Sequence, residues 1–253
     1  MDDLVIGSTN LSINPIYMIS VVSAFVLVFI FPLTKSFNNP KEKKQYFYLQ
    51  SITFIGAIFG AKLAVLMGDV LWPIEPFEHW FELIFSGRSI VGALLFGFIF
   101  AEIAKPLMGY KRLPNDRFAI VLPFSIATGR IGCWFSGCCL GAKSNSFLAI
   151  KHLDDIPRYP IAIMEIGFHL SAGLFLIYLY KKQKFEGQIF ALFMMMYGIF
   201  RFFSEYLRVT EKAFWGYSAY QLFAFILVIA GVISFIARQD KKSNTITRRV
   251  NYG

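Results

Sequence analysis

The sequence predicts an all-α polytopic membrane protein: seven transmembrane helices, with the N-terminus outside and the C-terminus in the cytoplasm. Three observations carry this prediction. Of the 253 residues, 56% are hydrophobic and 16% charged, so a soluble domain of this length would leave too much apolar surface in water. Apolar runs close to the roughly 20 residues that cross the hydrocarbon recur along almost the whole chain. Lysine and arginine collect in one set of loops, as they do on the cytoplasmic side of membrane proteins.

The runs cover residues 15–31, 50–71, 89–107, 118–140, 161–180, 188–207 and 219–237. The first has no basic flank before it and no small-residue cleavage pattern after it, and reads as a retained helix. The second leads into an acidic loop with Asp69, Glu75, Glu78 and Glu82. The third carries Glu102, the fourth Arg130, the fifth Glu165 and His169, and the sixth Arg201 and Glu205. The seventh precedes a basic tail. Lipid admits only helices and closed barrels, and none of the runs has the polar and apolar alternation of barrel strands. Residues 1–240 are expected to form one transmembrane domain and residues 241–253 a mobile cytoplasmic tail. No internal repeat and no pair of broken helices of the transporter kind is visible.

Orientation follows from the loops. One side holds Lys35, Lys41, Lys43, Lys44, Lys105, Lys111, Arg112, Arg117, Lys181, Lys182, Lys184, Arg238, Lys241, Lys242, Arg248 and Arg249, whereas the other holds Arg88, Lys143, Lys151, Arg158, Arg208 and Lys212. The first group marks the cytoplasm. The formal net charge of +9 is then a topology signal and an attraction to anionic headgroups; a nucleic acid partner is not needed to explain it.

Three cations remain in or near the apolar runs, Lys62, Arg130 and Arg201, with the acids Glu102, Glu165 and Glu205. A charge at the centre of a helix costs about 2.5–3.5 kcal/mol on insertion scales, so such groups face a partner or a polar cavity and are candidates for function. In the sixth run Tyr197, Arg201, Glu205 and Arg208 recur at helical spacing on one face. Either Arg201 and Glu205 form a self-satisfying ion pair, or a guanidinium held by a glutamate binds an anionic lipid headgroup in bidentate fashion.

The fourth run ends in GRIGCWFSGCCLG, residues 129–141, which combines Arg130, the small residues Gly129, Gly132 and Ser136, and all three cysteines. Close helix packing and phosphate binding explain the glycines equally well. Cys133 and Cys138 are candidate thiolates with Arg130 nearby, although a free cysteine is commonly a small buried hydrophobe. The vicinal Cys138 and Cys139 pair only with strain. No histidine stands at a usual zinc spacing from them, and no metal site and no cofactor is expected. His79 and His152 read as solvated loop residues, and His169 as a hydrogen-bonded packing residue. There is no Ser/His/Asp arrangement and no phosphate loop.

These residues resemble a known family, the prolipoprotein diacylglyceryl transferases of bacterial membranes. GRIGCWFSGCCLG resembles that family's GRIGNFxNxExxG signature. RYPIAIMEIG (158–167) is similar to its RHPxQLYE segment, and GQIFALFMMMYGIFRFFSEYLR (187–208) to its GxxFxxFxxxYGxxRFxxEFxR segment. GAK (60–62) and SAYQL (218–222) resemble its GAR and SMGQ. The resemblance implies a seven-helix enzyme of the bacterial cytoplasmic (inner) membrane that moves diacylglyceryl from phosphatidylglycerol to a prolipoprotein cysteine and releases glycerol phosphate. It implies that Arg130 and Arg201 hold the lipid phosphate, that Glu205 orients Arg201, and that Tyr197 lines the pocket, with Glu165 and Arg208 beside them. The chain also departs from the family: Val91 stands where the family has a histidine, Cys133 and Ser136 replace asparagines, and Cys138 replaces a glutamate. A transferase with a different acceptor, served by a cysteine, and a non-catalytic protein that binds anionic lipid are the alternatives. A transporter fits less well, because the buried charges cluster toward one side.

Overall fold

The computed structural model describes residues 15–30, 39–71, 80, 89–110, 115–137, 139, 141–152 and 155–251. Glu75, Glu78, Glu82, His79, Arg88 and Cys138 lie outside the described residues. Among the described residues there are seven α-helices: α1 (Pro15–Ile30), α2 (Pro40–Val65), α3 (Ile90–Leu107), α4 (Asn115–Ser136), α5 (Ile161–Lys181), α6 (Ile189–Ser204) and α7 (Ala219–Asn251). No strand occurs among these residues, only isolated bridges such as Gly141 with Arg208 and Lys143 with Arg158.

Six helices, α2 to α7, are long and apolar enough to cross a membrane, and the protein is a multi-pass membrane protein. The first predicted span is observed as a helix of 16 residues. Those residues cover about 24 Å, and the residues on either side of them lie outside the described ones. Two boundaries differ from the hydropathy pattern for local reasons. Helix α2 begins ten residues before the apolar run, because the Asn39 side chain accepts from the Lys41 amide and Pro40 occupies the first turn. Helix α4 stops at Ser136 because Gly137 turns left-handed at φ 65°, a conformation open to glycine. The last helix continues to Asn251, through the residues read as a tail.

The helices pack as α2 along α3, α1 along α4, α4 along α5 and α6 along α7. The α2–α3 seam is the tightest: a Cβ on Gly60 would collide with the Gly92 carbonyl oxygen, and one on Gly92 with that of Gly60. Backbones meet that closely only where side chains are absent. Phe193, Met194, Leu176, Ala224 and Leu227 fill the centre. Ile55, Phe59, Leu174, Phe203 and Ile233 point outward and are exposed, as expected of a surface solvated by lipid.

Helix α5 buries Glu165, His169, Ala172, Leu176 and Leu179, a stripe of alternating four- and three-residue steps. Helix α6 buries Phe193, Met194, Tyr197, Gly198, Arg201 and Ser204. Both stripes carry polar groups at the end where α4 finishes and α5 begins. At the opposite end, Glu102 pairs with Lys105 and Arg238 at 2.6 Å each, and Asp116 accepts from the amides of Gly187 and Phe190. The buried charges thus divide between two ends, and Glu102 belongs to a helix-end brace.

Candidate active site

Glu165 is the hub. Its side chain is fully buried, and three guanidiniums reach it from three directions. Arg130 on α4 approaches through Nε, Arg201 on α6 through Nη1 at 3.3 Å, and Arg208 beyond α6 through Nη2 at 2.6 Å. Arg201 also pairs with Glu205 at 2.7 Å, and Arg208 lies 3.8 Å from the same carboxylate. The five side chains are 0–13% exposed. The Arg201–Glu205 pair is one edge of this larger network.

Arg208 reaches the hub in an unexpected way. The spacing places it on the α6 face, but α6 tightens into a 3₁₀ turn at Glu205–Leu207 and the chain is extended at Arg208, with φ −104° and ψ 154°. The bridge of Arg208 to Gly141 ties this extended segment to the chain just after α4. The guanidinium therefore returns to Glu165 from the loop side.

That loop supplies groups the sequence reading did not single out. The Thr210 hydroxyl donates to Glu205 Oε1 at 2.7 Å and the Ser218 hydroxyl to the same oxygen at 3.2 Å. Lys212 Nζ donates to the Glu205 carbonyl at 2.9 Å. Burial pulls the Lys212 ammonium below its usual range, which Glu205 opposes and Arg201 and Arg208 reinforce. The Arg201 guanidinium lies 5.5 Å from the centre of the Tyr220 ring, and the Tyr220 hydroxyl donates to Asp69 at 2.6 Å. Asp69 sits in the π-helical turn Leu66–Val70 that ends α2, a kind of irregularity common at functional sites. The SAYQL stretch was a visible signal for Ser218 and Tyr220; nothing local marks Thr210 or Lys212.

The predicted residues of the fourth run are brought to the same place. Arg130 Nη1 lies 3.3 Å from Cys139 Sγ and 3.9 Å from Cys133 Sγ. A recess beside them is lined by Cys133, Trp134, Gly137, Cys139, His152 and Tyr159. A Cβ on Gly129 would meet nothing within 4 Å, so close helix packing does not account for that glycine. Gly132 is buried. The Ser136 hydroxyl oxygen is buried without a hydrogen-bond partner.

Two histidine expectations are corrected. His152 is held, not merely solvated: its ring stacks on Trp134 at 3.7 Å and Nε2 sits 2.9 Å from the Trp134 carbonyl oxygen. His169 is fully buried, but neither ring nitrogen has a hydrogen-bond partner. Its ring lies instead among Phe168, Phe193 and Tyr197, 5.0 Å from the Tyr197 ring. Val91 is buried in the apolar core on α3, and Lys62 is half-buried on α2.

Comparison with known proteins adds a family to this geometry. Campylobacter jejuni has a phosphatidylglycerol–prolipoprotein diacylglyceryl transferase 28% identical to the chain over 249 residues, covering 90% of this chain and 89% of the relative. The corresponding protein of Legionella pneumophila is 29% identical over 206 residues, or 78% of each chain. A protein of Clostridium perfringens, called phosphatidylglycerol–prolipoprotein diacylglyceryl transferase 2, is 28% identical over 192 residues, covering 73% of this chain and 75% of its own. No solved structure matches. The family model described as prolipoprotein diacylglyceryl transferase matches residues 6–237, and the chain belongs to that family.

Proposed function

We propose that the protein transfers the diacylglyceryl group of phosphatidylglycerol to a prolipoprotein cysteine thiol. The observation that carries the reading is the charge of the buried centre. Three guanidiniums facing two carboxylates leave one positive charge, and a phosphodiester supplies one negative charge. Three guanidiniums also bring about fifteen N–H donors against roughly eight lone-pair positions on two carboxylates. The surplus donors suit phosphate oxygens.

Arg130 and Arg201 grip the phosphate, Arg208 adds charge from the loop, and Glu165 and Glu205 hold the three in place. Tyr197 lines the wall, while Gly129, Gly132 and Ser136 border the headgroup. As the bond from the glycerol carbon to the phosphate oxygen breaks, negative charge grows on the leaving phosphate. Pre-placed cations in a dry site stabilise that charge more than they stabilise the bound lipid. Cys133 and Cys139 pack against Arg130 and are not intermediates in this reading, because a thioether formed on either would be too poor a leaving group to pass the lipid on. The protein sits in the bacterial cytoplasmic membrane with seven spans, its N-terminus outside, and its site opening toward the outer leaflet. The loop charges support that orientation.

The test is to incubate the purified protein with labelled phosphatidylglycerol, with and without a prolipoprotein peptide containing the acceptor cysteine, and to follow both lipid fragments by mass spectrometry. Lipidated peptide with free glycerol phosphate is expected, and Arg130→Lys or Arg201→Lys should lower turnover by about 10²-fold, since lysine offers no planar fork. Fragment release without peptide lipidation would point to another acceptor. Turnover undiminished in both variants would defeat the site assignment.

A further inference from the structure

The centre has two rungs. Glu165 on α5 faces Arg201 on α6, and one turn further from the loops His169 faces Tyr197, their rings 5.0 Å apart. Four residues of helix separate the rungs by about 6 Å. On the first rung every ionisable group is engaged. Glu165 and Glu205 are bound by arginines, and Asp69 accepts the Tyr220 hydroxyl. On the second rung a fully buried imidazole presents two nitrogens without a hydrogen-bond partner. Leaving a buried polar group unsatisfied costs about 1–3 kcal/mol, and such a group calls for an explanation.

Thiol alkylation supplies one. The thiol attacks the glycerol carbon from the side opposite the leaving phosphate oxygen. With the leaving oxygen at the arginines, a near-attack separation of about 3–3.5 Å beyond the carbon places the sulfur roughly 5 Å deeper, close to the spacing of the rungs. We propose that His169 is the proton acceptor for the incoming thiol, touching the reacting sulfur from the rung beneath the arginines. The proton passes from sulfur to an imidazole nitrogen as the carbon–sulfur bond forms. The carbon–oxygen bond breaks, and its electron pair leaves on glycerol phosphate under Arg130 and Arg201. The imidazolium forms one helical turn from the Glu165 carboxylate and later returns its proton to the departing phosphate. The charged and titratable groups that face the ring are Glu165 on α5, Arg130 on α4 and Tyr197 on α6.

This inference rests on the transferase reading, so the experiment separates the two. Wild type and His169→Gln are assayed with phosphatidylglycerol and two acceptor peptides, one carrying cysteine and one selenocysteine, whose selenol is already ionised near neutral pH and needs no base. His169→Gln should slow the cysteine peptide by about 10²-fold or more and the selenocysteine peptide by less than about 3-fold, with phosphatidylglycerol binding retained. Equal losses with both peptides would assign His169 a structural role and overturn the proposal, as would an undiminished cysteine rate. Should His169→Gln fail to fold, the wild-type pH profile decides. With an imidazole base the cysteine rate should level off at a pH well below the free thiol's pKa of about 8.5, and a rate that keeps rising through that pKa, as the thiolate fraction alone would make it, would overturn the proposal. If wild type lipidates neither peptide, the transferase reading itself falls, and this inference with it.

Discussion

Replacing Glu165 by glutamine keeps the size of the hub and removes its charge. Arg130, Arg201 and Arg208 all meet this one carboxylate, which is 0% exposed, and after the change Glu205 alone faces three buried cations. Removing one partner of a buried ion pair costs about 3–5 kcal/mol. A chain of this length loses about 2–4 °C in Tm per kcal/mol, so a fall of roughly 6–20 °C follows in a detergent-solubilised thermal melt. The same change raises the net charge of the centre from one positive to two. Added phosphatidylglycerol should therefore recover a larger share of Tm in the variant than in wild type, since a ligand stabilises in proportion to its affinity for the folded state. Turnover should still drop by about 10²-fold, because the arginines lose the contact that fixes them. A variant with Tm within about 2 °C of wild type, and with unchanged turnover, would refute the claim that Glu165 holds the three arginines together.

Two further outcomes follow. Cys133→Ser and Cys139→Ser, singly or together, should keep turnover within about 3-fold of wild type, well short of the losses that removal of a covalent nucleophile causes; loss of activity in the peptide lipidation assay would return the thiols to the chemistry. Gly60→Ala forces a methyl group onto the Gly92 carbonyl and the Phe96 side chain. Because the neighbour is backbone, a stability loss toward the upper end of about 1–3 kcal/mol is expected, read as a lower Tm with phosphatidylglycerol binding per folded molecule unchanged.

Periodicity made part of this site legible. Tyr197, Arg201 and Glu205 lie on one helical face in the sequence and in the fold, because an α-helix converts steps of four into neighbours. Arg130 and Glu165 were visible as charges out of place, but their pairing was not. An ion pair between α4 and α5 depends on how two helices pack, which no local spacing encodes. Arg208 was placed on the right side for an incomplete reason, since the chain leaves the helix before reaching it. Thr210 and Lys212 looked like ordinary loop residues, and only the fold of the loop back onto Glu205 makes them part of the centre. His169 was readable in principle, since it stands four residues from Glu165 on the same stripe; that its ring nitrogens lack hydrogen-bond partners was not. The N-terminus of α2 escaped the hydropathy pattern because its first turns, KEKKQ, are polar and begin at a cap.

The order of the charges along the chain has a consequence for biogenesis. Helix α4 brings Arg130 into the membrane before any acid that can meet it has been made. Glu165 follows on α5, and Arg201 comes 36 residues later. At about 5–20 residues per second of synthesis, each partner arrives roughly 2–7 s after the one before. During those intervals an unneutralised guanidinium or carboxylate must wait in the insertion machinery, at the interface, or in a locally thinned bilayer. Helices α4, α5 and α6 therefore gain by leaving together. A cell expressing a hub variant should lose protein to quality control during synthesis as well as to unfolding afterwards, and pulse-labelled yield would report the first loss separately from the second.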